Sequence, residues 1–181
     1  MRRNLQQCPA FSSSMLAVVS DTHSSAGHAL SGRTLEAVSK AGRVIHAGDF
    51  TTVSVLDAFH EETAHLEAVY GNSDDMAVKE RLPETRVVEW EGLRIAVTHR
   101  RNGGKTGLVM FGRERGADLV ISGHSHRPGV TRTEDLTLLN SGSHAQPRGN
   151  RPGHAELDST TKGVRGRLCE PDGTVFEKFS L

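Results

Sequence analysis

Five short blocks of the chain carry side chains that bind metal ions: Asp21-Thr22-His23, Gly48-Asp49, Gly71-Asn72, His99 and Gly123-His124-Ser125-His126. A set that mixes carboxylate, amide and imidazole suits Mn²⁺, Fe or Zn²⁺; thiolates or imidazoles alone would point elsewhere. Spacing within the blocks has a physical meaning. In extended backbone, residues two apart point the same way. Asp21 and His23 are therefore expected to reach one ion together, and His124 and His126 to face one cavity. Glycines at 48, 71 and 123 are expected to let the backbone turn sharply as it enters each block. Taken singly, Asp-x-His or Gly-Asp is an ordinary turn. Five such blocks in one series are a poor coincidence.

Something must hold these blocks together, and the pattern around them supplies it. Met15–Ser20 is a short apolar run that ends at Asp21, as buried parallel strands do. Residues 28–40 read as a helix, Arg43–Ala47 as a strand, and Thr51 or Thr52 as the cap of a helix running to Glu62. His65–Tyr70 is a third strand. Beyond it, Arg86–Trp90 and Leu93–Thr98 flank Glu91-Gly92 as a hairpin. A helix over 104–115 and a strand over Asp118–Ser122 follow. A second hairpin spans Gly129–Thr133 and Leu136–Asn140, and Ala155–Ser159, Val164–Cys169 and Thr174–Phe179 are three closing strands. Each donor block thus follows a predicted strand, where sites form in open α/β sheets. A βαβα half and a strand-rich half argue for packed sheets with helices outside.

Composition narrows the classes of partner. The 181 residues carry 22 Lys+Arg and 22 Asp+Glu without a block of one sign. Polymeric nucleic acid and anionic membranes want clustered basic charge, so neither is expected as a partner. No apolar run approaches the roughly 18 residues of a membrane helix. Two cysteines, Cys8 and Cys169, make no disulfide framework, which fits a reducing cytoplasm. The strand pattern starts at Met15. Residues 1–14 lack a signal peptide's apolar stretch and are expected to form a loosely ordered extension ahead of one domain over 15–181.

The five blocks, in this order, resemble the calcineurin-like metallophosphoesterases. The likeness extends to their small phosphodiesterase branch, the YfcE-like proteins, through the early strand with Asp-x-His and through Asn140-Ser141-Gly142-Ser143. It implies a four-layer αββα sandwich, two mixed sheets flanked by helices. It also implies two divalent ions, Mn²⁺ first and Zn²⁺, Ni²⁺ or Fe²⁺ otherwise. One would be held by Asp21, His23 and His126, the second by Asn72, His99 and His124, with Asp49 bridging both. The implied activity is hydrolysis of a small phosphoester, nucleotide-like among the options, by a hydroxide bridging the metals. Asp49 and Asn72 would then act by positioning metal and substrate, and no protein nucleophile is needed. Arg100, Ser143 and His144 are the expected substrate contacts. Relatives associate in several ways, so a homo-oligomer is compatible with the resemblance.

The chain departs from the pattern at three places. Ser73 stands where many relatives have a histidine that protonates the leaving group. That predicts slow turnover and a preference for good leaving groups. Arg100-Arg101 follows His99 in place of Gly-His, and Ser141 replaces a proline that would stiffen its loop. The alternative from another class is a protein-binding scaffold like the retromer subunit of this fold, which departs from the family at catalytic positions. Here every expected ligand is present. Among the other histidines, His46 is expected to be packed near Asp49, and His28, His60, His65 and His154 to lie at the surface or its boundary.

Overall fold

The first apolar run becomes β1 (Leu16–Val19), and the parity of its side chains organises the rest. Leu16 and Val18 point one way, into a core shared with the facing sheet. Met15, Ala17 and Val19 point the other way, against helices. Alternate residues of a strand face opposite sides, so a strand covered on both faces reads as an unbroken apolar run. Burying each such Val or Leu contributes about 1.5–3 kcal/mol.

The computed structural model describes residues 14–181. The extension expected over 1–14, apart from Ser14, lies outside the described residues, as does Cys8. After β1 come α1 (Gly32–Lys40), β2 (Arg43–His46), α2 (Val53–Glu62), β3 (Leu66–Ala68) and α3 (Met76–Arg81). The second half contains β4 (Thr85–Trp90), β5 (Leu93–Thr98), α4 (Gly104–Glu114), β6 (Leu119–Ser122), β7 (Gly129–Arg132) and β8 (Thr137–Asn140). Three antiparallel strands close the chain: β9 (His154–Thr160), β10 (Gly163–Cys169) and β11 (Val175–Ser180).

Two mixed sheets result. One has the order β11-β10-β9-β1-β2-β3 and the other β4-β5-β6-β8-β7. Val88, Trp90, Ile95, Leu119 and Ile121 of the second sheet meet Leu16, Val18 and Ile45 of the first. On the outer side of the first sheet, Ala37 and Val38 of α1 and Val55, Leu56 and Phe59 of α2 cover β1 and β2. Phe111 of α4 covers Ala96 and Val120 on the outer side of the second. These are the four layers αββα expected from the resemblance. Trp90 and the phenylalanines of this region serve the cores.

Within each sheet the strands that lead to the donor blocks run parallel: β1, β2 and β3 in one, β5 and β6 in the other, with β8 parallel beside β6. Their carboxyl ends therefore gather at one edge of each sheet. Among the described residues, no helix is long and apolar enough to cross a membrane.

Candidate metal centre

Asp21 and His23 follow β1, Asp49 follows β2, Asn72 follows β3, His99 follows β5, and His124 and His126 follow β6. The backbone stitches these loops together. Asp21 N–H donates to the Gly48 carbonyl (2.9 Å), His23 N–H to the Asp49 carbonyl (3.0 Å) and Gly123 N–H to the His99 carbonyl (3.0 Å).

The loops are not the extended segments expected from the spacing. Asp21 (φ 54), His23 (φ 44), Asp49 (φ 64), His124 (φ 70) and His126 (φ 54) all adopt left-handed backbone. Such a conformation costs a residue other than glycine on the order of 1–2 kcal/mol, and strain of this kind clusters at functional sites. Asp21 and His23 converge because two left-handed residues flank an ordinary one, not because a strand continues, whereas His124 turns to His99 and His126 to His23. The glycines also differ in their reasons. Gly48 turns at φ 94. Gly71 and Gly123 instead make room for carboxylates. A Cβ at 71 would sit 2.1 Å from Asp49 Oδ1, and one at 123 would sit 2.8 Å from Asp21 Oδ2.

The donor atoms form two overlapping groups. Those of Asp21, His23 and His126 all lie within 4.8 Å of one another, and so do those of Asp21, Asp49 and His99. Asp49 Oδ2 is 3.3 Å from His23 Nε2 and 3.2 Å from His99 Nε2. His126 Nε2 is 3.5 Å from Asp21 Oδ1 and 3.2 Å from His23 Nε2. His124 is exposed, its ring edge-on to His99 with centroids 5.3 Å apart. Asn72 is also exposed and lines a cleft with His99.

Hydrogen bonding fixes which nitrogens are free to bind a cation. A carbonyl only accepts, so the contacts of His99 Nδ1 with the Ala47 carbonyl (2.7 Å) and of His126 Nδ1 with the Gln146 carbonyl place a proton on each Nδ1. In the neutral rings Nε2 is then a lone pair aimed into the site, the arrangement that metal-binding histidines use. His99 Nε2 is buried and, although 3.2 Å from Asp49 Oδ2, makes no well-aligned hydrogen bond among the described residues. A divalent cation satisfies such an atom, so the residues fit the metals the family implies.

Charge in the site is strongly coupled. Burial pushes the Asp49 carboxyl up, but the neighbouring His99 ring, the Ser73 N–H and His23 together pull it well below the usual carboxylate range. Burial lowers His99, and Asp49 and Asp21 more than reverse this. Burial lowers His23 and His124, the latter aided by His99 and Arg100.

Several supporting residues carried no signal in the pattern. Asp74 is buried, and its carboxylate accepts three backbone N–H groups: Gly71 (2.7 Å) and Asp49 (3.1 Å) on Oδ2, and Thr51 (2.7 Å) on Oδ1. It locks the two loops that present Asp49 and Asn72. Gln146 holds the His126 ring through its carbonyl, and its Nε2 donates to the His23 carbonyl at 2.9 Å. His46, expected to be packed, is buried against Phe50 with ring centroids 3.6 Å apart. Its Nδ1 accepts from Gly48 N–H, so Nε2 carries the proton and donates to Thr22 Oγ1 at 2.8 Å.

Three expectations are revised. Ser143 and His144 were expected at the substrate, but both are buried. Ser143 Oγ donates to the Asp21 carbonyl (2.7 Å) and accepts from Gln146 N–H (2.8 Å), which makes it part of the frame. Burial forces His144 down to about 4. His154, expected near the surface, is wholly buried between Thr34 and Glu156. The donor atoms of His154, Glu156 and Cys169 also lie close together. Arg33 and Arg167 already hold Glu156 there, and two guanidiniums repel a cation. The loop without its proline is braced by other means: Ser20 Oγ donates to the Gly142 carbonyl (3.0 Å) and Gly142 N–H to Asn140 Oδ1 (2.8 Å).

The family model described as calcineurin-like phosphoesterase superfamily domain matches residues 15–162. The chain belongs to that superfamily, whose members are phosphoesterases that use divalent metal ions. It is 35% identical over 138 residues to a probable metallophosphoesterase of Methanothermobacter thermautotrophicus, covering 74% of this chain and 79% of that one. It is 27% identical over 138 residues to a phosphodiesterase of Methanocaldococcus jannaschii, covering 70% and 82%. Among solved structures, a single mutant of Vps29 from Entamoeba histolytica superposes with a TM-score of 0.76 at 20% identity, covering 92% of this chain and 99% of that one. At that identity the likeness speaks for the fold alone.

Proposed function

We propose that the protein is a phosphodiesterase that hydrolyses a small, nucleotide-like phosphoester at a pair of divalent ions, Mn²⁺ first among them. Asp21, His23 and His126 would hold one ion, Asn72, His99 and His124 the other, and Asp49 would be shared. The observation that carries this reading is His99 Nε2, buried 3.2 Å from Asp49 Oδ2 without a well-aligned hydrogen bond, while Nδ1 is committed to the Ala47 carbonyl. When bound, two such ions supply Lewis acidity and a water acidic enough to attack at neutral pH.

The chain's own residues do the rest. Strained, cross-braced loops fix the donors before substrate arrives, which avoids reorganisation during the reaction. Arg100, exposed at the rim beside His99, offers positive charge to the phosphoryl oxygens. Ser73 anchors Asp49 through its N–H, which donates to Oδ1 at 2.8 Å, and its hydroxyl accepts from Asn72 Nδ2 at 3.2 Å. A serine hydroxyl is a weak acid, so departure of the leaving alcohol depends on the alcohol itself.

Hydrolysis of bis-p-nitrophenyl phosphate, beside the monoester, by protein stripped of metal and reloaded with Mn²⁺ tests the reading. Diester cleavage restored by Mn²⁺, with the monoester lagging, is the expected result. Silence with Mn²⁺ and then with Zn²⁺, Ni²⁺ and Fe²⁺ would overturn it and leave a protein-binding role for this fold.

A further inference from the structure

The chain as a whole is neutral and its sequence shows no basic block, yet folding makes one. A cleft of about 670 Å³ opens beside His99 and His124, and its lining includes Arg100, Arg101, Lys105 and Arg127 and no aspartate or glutamate. Arg127 follows β6, whereas the other three cations follow β5, so only the parallel pairing of these strands brings them together. Arg101 is a fixed part of the wall, stacked over Phe111 at 4.3 Å and 3.6 Å from Glu84. Arg100, Lys105 and Arg127 are exposed and make no ion pair among the described residues. Leu108 and Leu138 give the same cleft apolar surface.

A second cleft, of about 450 Å³, shares His99 and Arg100 with the first and adds Tyr70, Asn72, Lys79 and Glu84. Its charges are of both signs. A phosphoryl group beside His99 would thus have one cleft for each of two ester arms, and the clefts differ in character.

We infer that the substrate is a phosphodiester whose larger arm carries a second phosphate, bound by Lys105 and Arg127 with its ring over Leu108 and Leu138. The uncharged polar arm enters the smaller cleft. This rests on the phosphodiesterase reading above. Hydrolysis adds water across one P–O ester bond: the new P–O bond comes from water, the alcohol leaves with a proton, and the second phosphate is untouched. Guanidinium and ammonium groups facing phosphate form charge-assisted hydrogen bonds, about twice as strong as neutral ones.

Dithymidine monophosphate with and without a 5′-phosphate is the probe pair, with kcat and KM measured on Mn²⁺-loaded protein and affinity by calorimetry. The expected result is a preference of about tenfold for the phosphorylated form, expressed in KM and weakened by salt. In the Lys105→Ala/Arg127→Ala double variant the ratio should fall towards one. Equal KM for both probes, with bis-p-nitrophenyl phosphate still cleaved, overturns the cleft assignment and spares the phosphodiesterase reading. Phosphate-dependent binding that the double variant loses, without hydrolysis of any diester, keeps the cleft as an anion subsite and overturns the hydrolytic reading. Equal binding without hydrolysis overturns both.

Discussion

Asp49 reaches both donor groups: Oδ1 is held by the Ser73 N–H, while Oδ2 faces His23 of one group and His99 of the other. Replacing it with asparagine removes the negative charge both ions would share and turns one oxygen into a donor. Asp49→Asn is expected to lose both metals in parallel, measured as metal per chain after dialysis, whereas His126→Ala is expected to lose chiefly one. Retention of both ions by Asp49→Asn would remove the bridging role. Asp74 acts one step further out. In Asp74→Asn an amide replaces a carboxylate oxygen, so at least one of the Gly71, Asp49 and Thr51 N–H groups loses its acceptor, at about 1–3 kcal/mol. Mn²⁺ affinity should fall by roughly 10–100-fold, as for other partners that orient a metal's ligands; an unchanged affinity would limit Asp74 to stability. Ser73 yields a prediction about leaving groups. Aryl diesters should be cleaved much faster than alkyl ones, and Ser73→His should narrow the gap by speeding the alkyl esters. Alkyl and aryl esters cleaved alike by the unaltered protein would mean that another group donates the proton.

At the scale of elements, the strand ends do the positioning, and glycine is required where loops touch. In Gly71→Ala the new methyl would press on Asp49 Oδ1 and, at 2.7 Å, on Asp49 N. Neither atom is the free end of a flexible chain. The variant should fold, by circular dichroism, yet bind Mn²⁺ far more weakly; full metal content would show that the loop gives way freely. Much of this scale was legible in the sequence. β1, β2, β5 and β6 lie in apolar runs because both faces of each sheet are covered, and the hairpin is announced by Gly92, which turns at φ 80 beside Glu91 at φ 49. Other parts were not legible, for physical reasons. α3 has six residues and only Val78 buried, too short for periodicity; its signal is the Asp75 side chain that accepts the Val78 N–H. The helix expected from residue 28 starts at Gly32, after Ala29 turns at φ 53. The candidate donors stand out in the sequence because their types and order are chemical. Their left-handed backbone does not, and neither do Asp74 or Gln146, whose partners are backbone groups set by folding.

Taken as one molecule, the protein buries titratable groups in β2, in the Ser143 turn and in β9, and these shape its response to acid. His144 is buried behind the Ser143 turn, where burial holds it at about 4. In the unfolded chain a histidine titrates near 6.5. Between those values the unfolded chain binds a proton that the native protein does not. The contribution of His144 to stability is therefore full above about pH 6.5 and declines as pH falls, until near 4 the native ring also takes the proton; the loss from this group is roughly 3 kcal/mol. Burial lowers His46 as well, which steepens the same decline. Glu156 acts in a lower window. Burial pushes it up, but His154, Arg33 and Arg167 hold it at about 2, so its contribution is present above about 4.5 and is lost as pH falls towards 2. Urea unfolding at pH 7.5, 6.5, 5.5 and 4.5 should show a steady fall across the first window. His144→Gln cannot take up the proton, so it should reduce that slope and leave the part that His46 sets. A variant that keeps the full slope between pH 6.5 and 4.5 would show that His144 does not govern it and would assign the decline to the remaining buried histidines.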